Sequence, residues 1–169
     1  MQGAKGESEL MEKTNAMRLL DSRKVAYRLH TFSAEIHSAT EVAETLNLPP
    51  EQVCKTLVVM RAKGKPMLVI VAGNREIDLR LLAQSVDEKK LRMATHTEAE
   101  ELTGLQVGGI SALALLNKGF DIYLDKPALQ LEEVVVSAGV RGANLQLRVQ
   151  DLLKLTRAKA IEATAPPAK

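Results

Sequence analysis

The sequence predicts a single domain of the mixed α and β class, with a largely antiparallel sheet and helices at its periphery. Three observations predict it. Short apolar, β-rich runs and helix-start signatures are interspersed without forming regular βαβ units. Two of those runs are joined by a four-residue loop containing glycine, which is a hairpin pattern. The length of 169 residues suits one hydrophobic core.

The elements follow in chain order. Leu10, Met17 and Leu20 predict an opening amphipathic helix that runs to about Arg23. Residues 25–32 predict a strand. Ser38-Ala39-Thr40-Glu41 is a capping-box pattern, in which hydroxyl and carboxylate satisfy each other's backbone N–H groups. It opens a helix through Leu46 that Pro49-Pro50 stops. Residues 53–61 and 66–72 predict the two hairpin strands, joined by Ala62-Lys63-Gly64-Lys65. Asp78 can cap a helix over 79–86. Thr95-His96-Thr97-Glu98 is a second capping box, on a helix ending near Gly104. Strands are expected at 121–124, 134–137 and 144–149, and Asp151 begins a last helix over 152–157. The domain is expected to span 10–160, with 1–9 and the Ala/Pro-rich 161–169 as loose termini.

Composition narrows the function. Hydrophobic residues make up 46% and charged residues 26%, ordinary for a packed globular chain. Aromatics supply 2% with no Trp, which argues against stacking successive bases on aromatic rings. With 23 basic and 21 acidic side chains, the net charge of +2 is too balanced to hold long nucleic acid by charge alone. A local basic rim gripping a short RNA end remains open. A single cysteine, Cys54, excludes an internal disulfide framework and fits a reducing compartment, so the cytoplasm is the expected location. Apolar runs such as 67–72 are too short to cross a bilayer, and no membrane partner is expected.

Three features could carry chemistry. Lys55 shares a strand face with Val53, Leu57 and Val59, on a strand whose two faces are mostly apolar. It is either a strand-end lysine whose head reaches water, or a cation at the floor of a cleft aimed at an anionic or carbonyl ligand. Gly108-Gly109-Ile110-Ser111 is either an ordinary turn or a cradle of exposed backbone N–H groups for an oxyanion. Ser137-Ala138-Gly139-Val140-Arg141-Gly142 ends a strand, and either aims Arg141 at phosphate or is a plain β-turn. His30, His37 and His96 lack metal-ligand spacing and read as surface or structural residues. Cys54, in an apolar strand, reads as a buried inert thiol. No nucleophile elbow or phosphate loop occurs.

Taken together and in order, these stretches resemble the YbaK/ProX family of aminoacyl-tRNA deacylases. The resemblance rests on Leu29-His30-Thr31-Phe32, Val53-Cys54-Lys55-Thr56-Leu57, Val71-Ala72-Gly73, Ile77-Asp78-Leu79, Val107-Gly108-Gly109-Ile110-Ser111, and Val136-Ser137-Ala138-Gly139 with Arg141-Gly142. It covers residues 17–155 and is closest to the YbaK branch, which clears cysteine from mischarged tRNA for proline. The resemblance implies a curled mixed sheet around a small pocket, with no metal, no cofactor and no protein nucleophile. Lys55, Gly108 and Gly109 match the family's catalytic positions, with the lysine positioning the aminoacyl ester or an adjacent phosphate and the glycine loop holding the carbonyl. His30, Phe32, Thr56, Ile110, Ser111, Ser137, Arg141 and Asn144 fall at substrate-binding positions, and Arg141 with Arg148 would form a basic rim. In the YbaK branch the substrate's own thiol attacks the ester, which needs positioning more than a catalytic triad. The implied partners are the 3′ end of mischarged tRNA and, transiently, prolyl-tRNA synthetase. Alternatives are a sibling deacylase for Ala- or Ser-charged tRNA, or a non-catalytic nucleotide- or tRNA-binding module of the same fold.

Three positions depart from the family pattern and bear on which amino acid is removed. Ala112 follows Ser111 where the family often has Pro. Phe32 stands where YbaK has Tyr. Asn144 stands at an acidic position.

Overall fold

The computed structural model describes residues 11–36 and 38–166, so the expectations for Leu10, His37 and the extreme termini lie outside the described residues. The chain forms α1 (Asn15–Ser22), β1 (Arg28–Thr31), α2 (Ala39–Leu46), β2 (Cys54–Arg61), β3 (Met67–Ala72), α3 (Leu79–Ser85), β4 (Leu91–Met93) and α4 (His96–Thr103). A 3-10 segment (Leu113–Lys118), β5 (Asp121–Asp125), a second 3-10 segment (Lys126–Gln130), β6 (Glu133–Val140), β7 (Ala143–Arg148), α5 (Val149–Thr156) and β8 (Lys159–Ile161) complete it.

The strands divide between two sheets, ordered β1-β7-β6 and β4-β2-β3-β5-β8. Pairing is mixed and mostly antiparallel; among the described strands the β3–β5 and β5–β8 ladders run parallel. A parallel bridge between Val53 and Val135 joins the sheets at one corner, reinforced by the Val135 amide donating to the Gln52 carbonyl at 2.9 Å. All six residues of β3 are buried, as a central strand covered on both faces requires. One face contributes Leu68 and Ile70 to the main core, with Val58, Val136, Leu145, Leu20 and Leu152. The other contributes Met67, Val69 and Val71 to a second cluster beneath Leu82 of α3.

Local signals set most helix boundaries. Asp78 caps α3, accepting from the Arg80 and Leu81 amides at 3.1 Å. The Thr95–Glu98 capping box is formed in both directions, and Gly104 ends α4 at φ +74°. Ser38 departs from expectation: it precedes α2, but its side chain caps no amide and instead meets the Thr40 hydroxyl at 2.9 Å. Helix α2 ends before the prolines because Asn47 turns left-handed at φ 56°.

Glu98 is also gripped by Arg92 through two bonds of 2.8 Å, and this, followed by the Thr95 amide, holds its carboxyl down to about 2. A depressed folded-state value stabilises the fold above the ordinary 4.5 and is lost as pH falls through about 2. Glu98→Gln is therefore expected to lower the melting temperature at pH 6, with the gap from wild type closing towards pH 2. A gap that does not change with pH would contradict this assignment.

The C-terminal boundary needs correction. Residues 161–166 are not a loose tail: Ile161 closes β8, Ala163 is fully buried, and Thr164 bridges to Ile77. Buried Asp125 organises the segment, accepting from the Ala163 amide at 2.8 Å and the Thr164 hydroxyl at 2.5 Å. The Ala/Pro composition read as a tail because its partners are distant in sequence.

Candidate active site

A gap in the larger sheet creates the site. Strand β4 pairs only with Val59, Met60 and Arg61 of β2, and the Ala94 amide adds one bond to the Val58 carbonyl. The chain then leaves into α4, and β6 meets β2 on that side only at the Val53–Val135 bridge, so among the described residues no strand pairs with the side of β2 opposite β3 from Lys55 to Leu57. A cleft of about 530 Å³ occupies that space, within the range of about 300–1,000 Å³ usual for small-molecule pockets. Five consecutive β2 residues, Cys54 to Val58, line it, because the cleft meets the strand's edge as well as its faces. This also explains why Lys55, Thr56 and Leu57 are half-buried on a strand expected to be covered on both sides.

Lys55 sits in this cleft with its side chain 25% exposed. Its ammonium donates to the Gly73 carbonyl at 3.4 Å and lies 3.5 Å from the Glu76 carboxylate, itself 93% exposed. Both contacts are long, and an ammonium has three protons to donate. The cation is thus held loosely by one carbonyl and one exposed carboxylate, which leaves it a proton to donate to a ligand. Gly73 is required for that anchor: a Cβ there would stand 2.7 Å from both the Ala39 Cβ and the Val53 carbonyl oxygen.

The glycine loop lines the same cleft through Val107, Gly108 and Ile110. The Gly109 amide donates to the Gln106 carbonyl at 2.8 Å, closing a β-turn with Gly108 at φ +93°. Glu100 accepts from the Val107 amide at 2.8 Å, and Arg141 Nε donates to the Val107 carbonyl at 2.8 Å. Among the described residues, the amides of Gly108 and Ile110 have no acceptor. They are the donors available to a carbonyl or oxyanion.

Several expected site residues stand elsewhere. Gly109 does not line the cleft and its amide is already used; a Cβ there would lie 2.9 Å from the Arg141 nitrogen, so glycine serves close packing of loop on strand turn. His30 bonds through Nε2 to Gln146 at 2.8 Å, tying β1 to β7. Phe32 packs on the cluster of Val42, Ala43, Val53 and Val135, so its departure from Tyr lies outside the cleft lining. Ser111 is buried and accepts from the Ala114 amide at 3.3 Å, opening a 3-10 segment. Arg141 also lies outside the lining, and Arg148 is at the opposite end of β7 from Asn144. Thr56, Ile110, Ser137 and Asn144 do line the cleft. Ser137 and Asn144 face each other across the β6–β7 ladder, and the Ser137 oxygen accepts from the Gly139 amide, leaving its proton for a ligand.

Sequence reasoning missed Ser38, Thr40, Met93 and His96, which form much of the remaining wall. Ser38 and Thr40 looked like cap residues, and His96 carried no signal beyond its place in a capping box.

Cys54 is 5% exposed, and burial, followed by the charge of Asp125, pushes its thiol up to about 12. It stays protonated at neutral pH and is no nucleophile. Cys54→Ala is expected to keep turnover within about twofold of wild type, and the native thiol to resist iodoacetamide at pH 8. Rapid alkylation accompanied by inactivation would overturn this reading.

A mixed two-sheet fold thus carries one cleft whose lining includes a lysine ammonium and the Gly108 and Ile110 segment, groups of the kind that interact with carbonyls and anions. The chain belongs to the aminoacyl-tRNA editing domain family, whose family model matches residues 33–155. It is 36% identical over 160 residues to an Enterococcus faecalis protein provisionally named Cys-tRNA(Pro)/Cys-tRNA(Cys) deacylase EbsC, covering 94% of this chain and 97% of that one. It is 28% identical over 95 residues to proline–tRNA ligase of Aquifex aeolicus, spanning 56% of this chain but only 16% of the ligase. A crystal structure described provisionally as a trans-editing enzyme for prolyl tRNA synthetase shares 28% identity and a TM-score of 0.78, covering 92% of this chain and 100% of that one.

Proposed function

We propose that this chain is a trans-editing deacylase that releases cysteine from mischarged tRNA for proline. The observation that supports the reading is the open cleft whose lining includes Lys55, Gly108 and Ile110 together. In this reading the Lys55 ammonium holds the acceptor end through the ester or its neighbouring phosphate. The Gly108 and Ile110 amides receive the charge that develops on the carbonyl oxygen. The substrate thiol attacks the ester carbon, a carbon–sulfur bond replaces the carbon–oxygen bond, and the thiol proton ends on the ribose oxygen. The product is a thiolactone and free tRNA, and no protein nucleophile is required. Such editing has a physical motive, because a synthetase pocket rejects a side chain of similar size by only about 1–3 kcal/mol.

One observation favours testing sibling specificities beside cysteine. Asn144 presents a neutral amide at the cleft where the family pattern is acidic. The experiment is a panel of Cys-, Ala- and Ser-charged tRNAs. Rapid release of cysteine alone, with thiolactone trapped, supports the reading. Faster release of alanine or serine replaces the specificity, and tRNA binding with no release from any member replaces the enzyme with a binding module.

A further inference from the structure

The geometry points to Arg141 as a positioning residue that locks the Val107–Gly108 peptide with its N–H facing the cleft, rather than as a contact for tRNA phosphate. The inference deepens the deacylase reading and rests on it for its kinetic arm.

The turn Gln106–Gly109 is closed by the Gly109 amide, with Val107 at negative φ and Gly108 at +93°. That is the type II form, and types I and II differ by a half-rotation of the central peptide, here Val107–Gly108. Glycine at the third position accepts either form at little cost. The direction of the Gly108 N–H is therefore not set by the turn itself.

Arg141 settles it. In a trans peptide the carbonyl and the following N–H point in opposite directions. Arg141 Nε fixes the Val107 carbonyl at 2.8 Å on the side of the β6–β7 turn, so the Gly108 N–H points away from that turn. Gly108 lines the cleft, and no described residue accepts its amide. A second clamp steadies the preceding peptide, because Glu100 holds the Val107 N–H at 2.8 Å, with the His96 ring 3.3 Å from the same carboxylate oxygen. The arginine also cannot drift from the loop: Gly109 packs so closely on the Val140 and Arg141 main chain that a Cβ would overlap it. Flipping the central peptide would present the Val107 carbonyl to an incoming oxyanion, a repulsive contact in place of an attractive one.

The test uses the full chain with Arg141→Met and, should that variant fold poorly, Glu100→Ala on the half-exposed face of α4. Arg141→Met is expected to lower kcat about 10- to 100-fold, with KM and the salt dependence of tRNA binding unchanged. Glu100→Ala is expected to lower kcat in the same direction, and Glu100→Gln, whose carbonyl oxygen still accepts the Val107 N–H, to restore it. A raised KM with unchanged kcat, and a salt slope reduced by about one, would instead identify a phosphate contact and overturn the lock. A second readout needs no turnover. In Arg141→Met the amide resonances of Val107 to Gly109 should shift or broaden by exchange between two turn forms. Unchanged resonances there overturn the lock even when the deacylase reading stands. Inactive wild type with exchange appearing only in the variant retires the deacylase reading and keeps the lock.

Discussion

Replacing Lys55 with alanine is expected to reduce deacylation at least about a hundredfold while leaving the unfolding transition in place. The two halves of this expectation have separate causes. Stability is spared because the ammonium makes only long contacts, to the Gly73 carbonyl and to a carboxylate that is 93% exposed. Exposed pairs of that kind contribute about 0–1 kcal/mol. Turnover is lost because the same looseness leaves the cation able to engage substrate, its carboxylate neighbour Glu76 being 3.5 Å away and almost fully exposed. Arginine should not substitute: its planar, longer head would have to fit where a compact ammonium now rests on one carbonyl. Single-turnover release from Cys-charged tRNA, read beside a thermal melt, tests both halves. A folded alanine variant with wild-type release removes Lys55 from the site.

Asp125→Ala is expected to cost about 3 kcal/mol or more, a larger stability loss than either Glu98→Gln or Lys55→Ala should bring. Its carboxylate is 1% exposed and accepts two hydrogen bonds from the final described segment, at 2.8 and 2.5 Å. Each bond to a charged group is worth about 1.5–3 kcal/mol, and removing the acceptor also strands the buried Ala163 amide. Release of the segment would expose Ile161 and Ala163 and free the β5 edge that β8 now covers. For a chain of this size the melting temperature should fall by roughly 10 °C. Thr164→Val, which removes one arm only, should cost less than half as much. Urea unfolding at unchanged slope measures both, and an Asp125→Ala midpoint equal to wild type would mean the segment is held some other way.

What could be read from the sequence was what is decided locally. The β2–β3 hairpin, the Asp78 cap, the Thr95–Glu98 box and the Gly104 stop each depend on residues a few positions apart, and each formed. Strands β4 and β8 escaped notice because three residues make no period, and β8 pairs with a parallel neighbour 36 positions away. The tail was misjudged for the same reason. In the site, Lys55 and the glycine loop stood out because each breaks a local rule, a charge in an apolar strand and paired glycines in a turn. His30, Phe32 and Ser111 lie beside such motifs, yet their side chains turn to β7, to the α2 cluster and to a 3-10 start. Ser38, Thr40, Met93 and His96 break no rule where they stand, and only the meeting of α2, β4 and α4 makes them neighbours. Arg141 was noticed for its charge, whereas its observed partner is a carbonyl of the chain itself.

The brevity of β4 has one more consequence. An exposed strand border ordinarily invites another chain to attach. Here the stretch from Lys55 to Leu57 opens instead onto a cleft whose walls include the starts of α2 and α4. A guest lodged there occupies the lane beside β2 that a longer β4 would have taken. Exchanging Thr56, Ser137 or Asn144 would therefore alter which guests are welcome without redrawing the lane, and three further residues of pairing in β4 would seal it altogether.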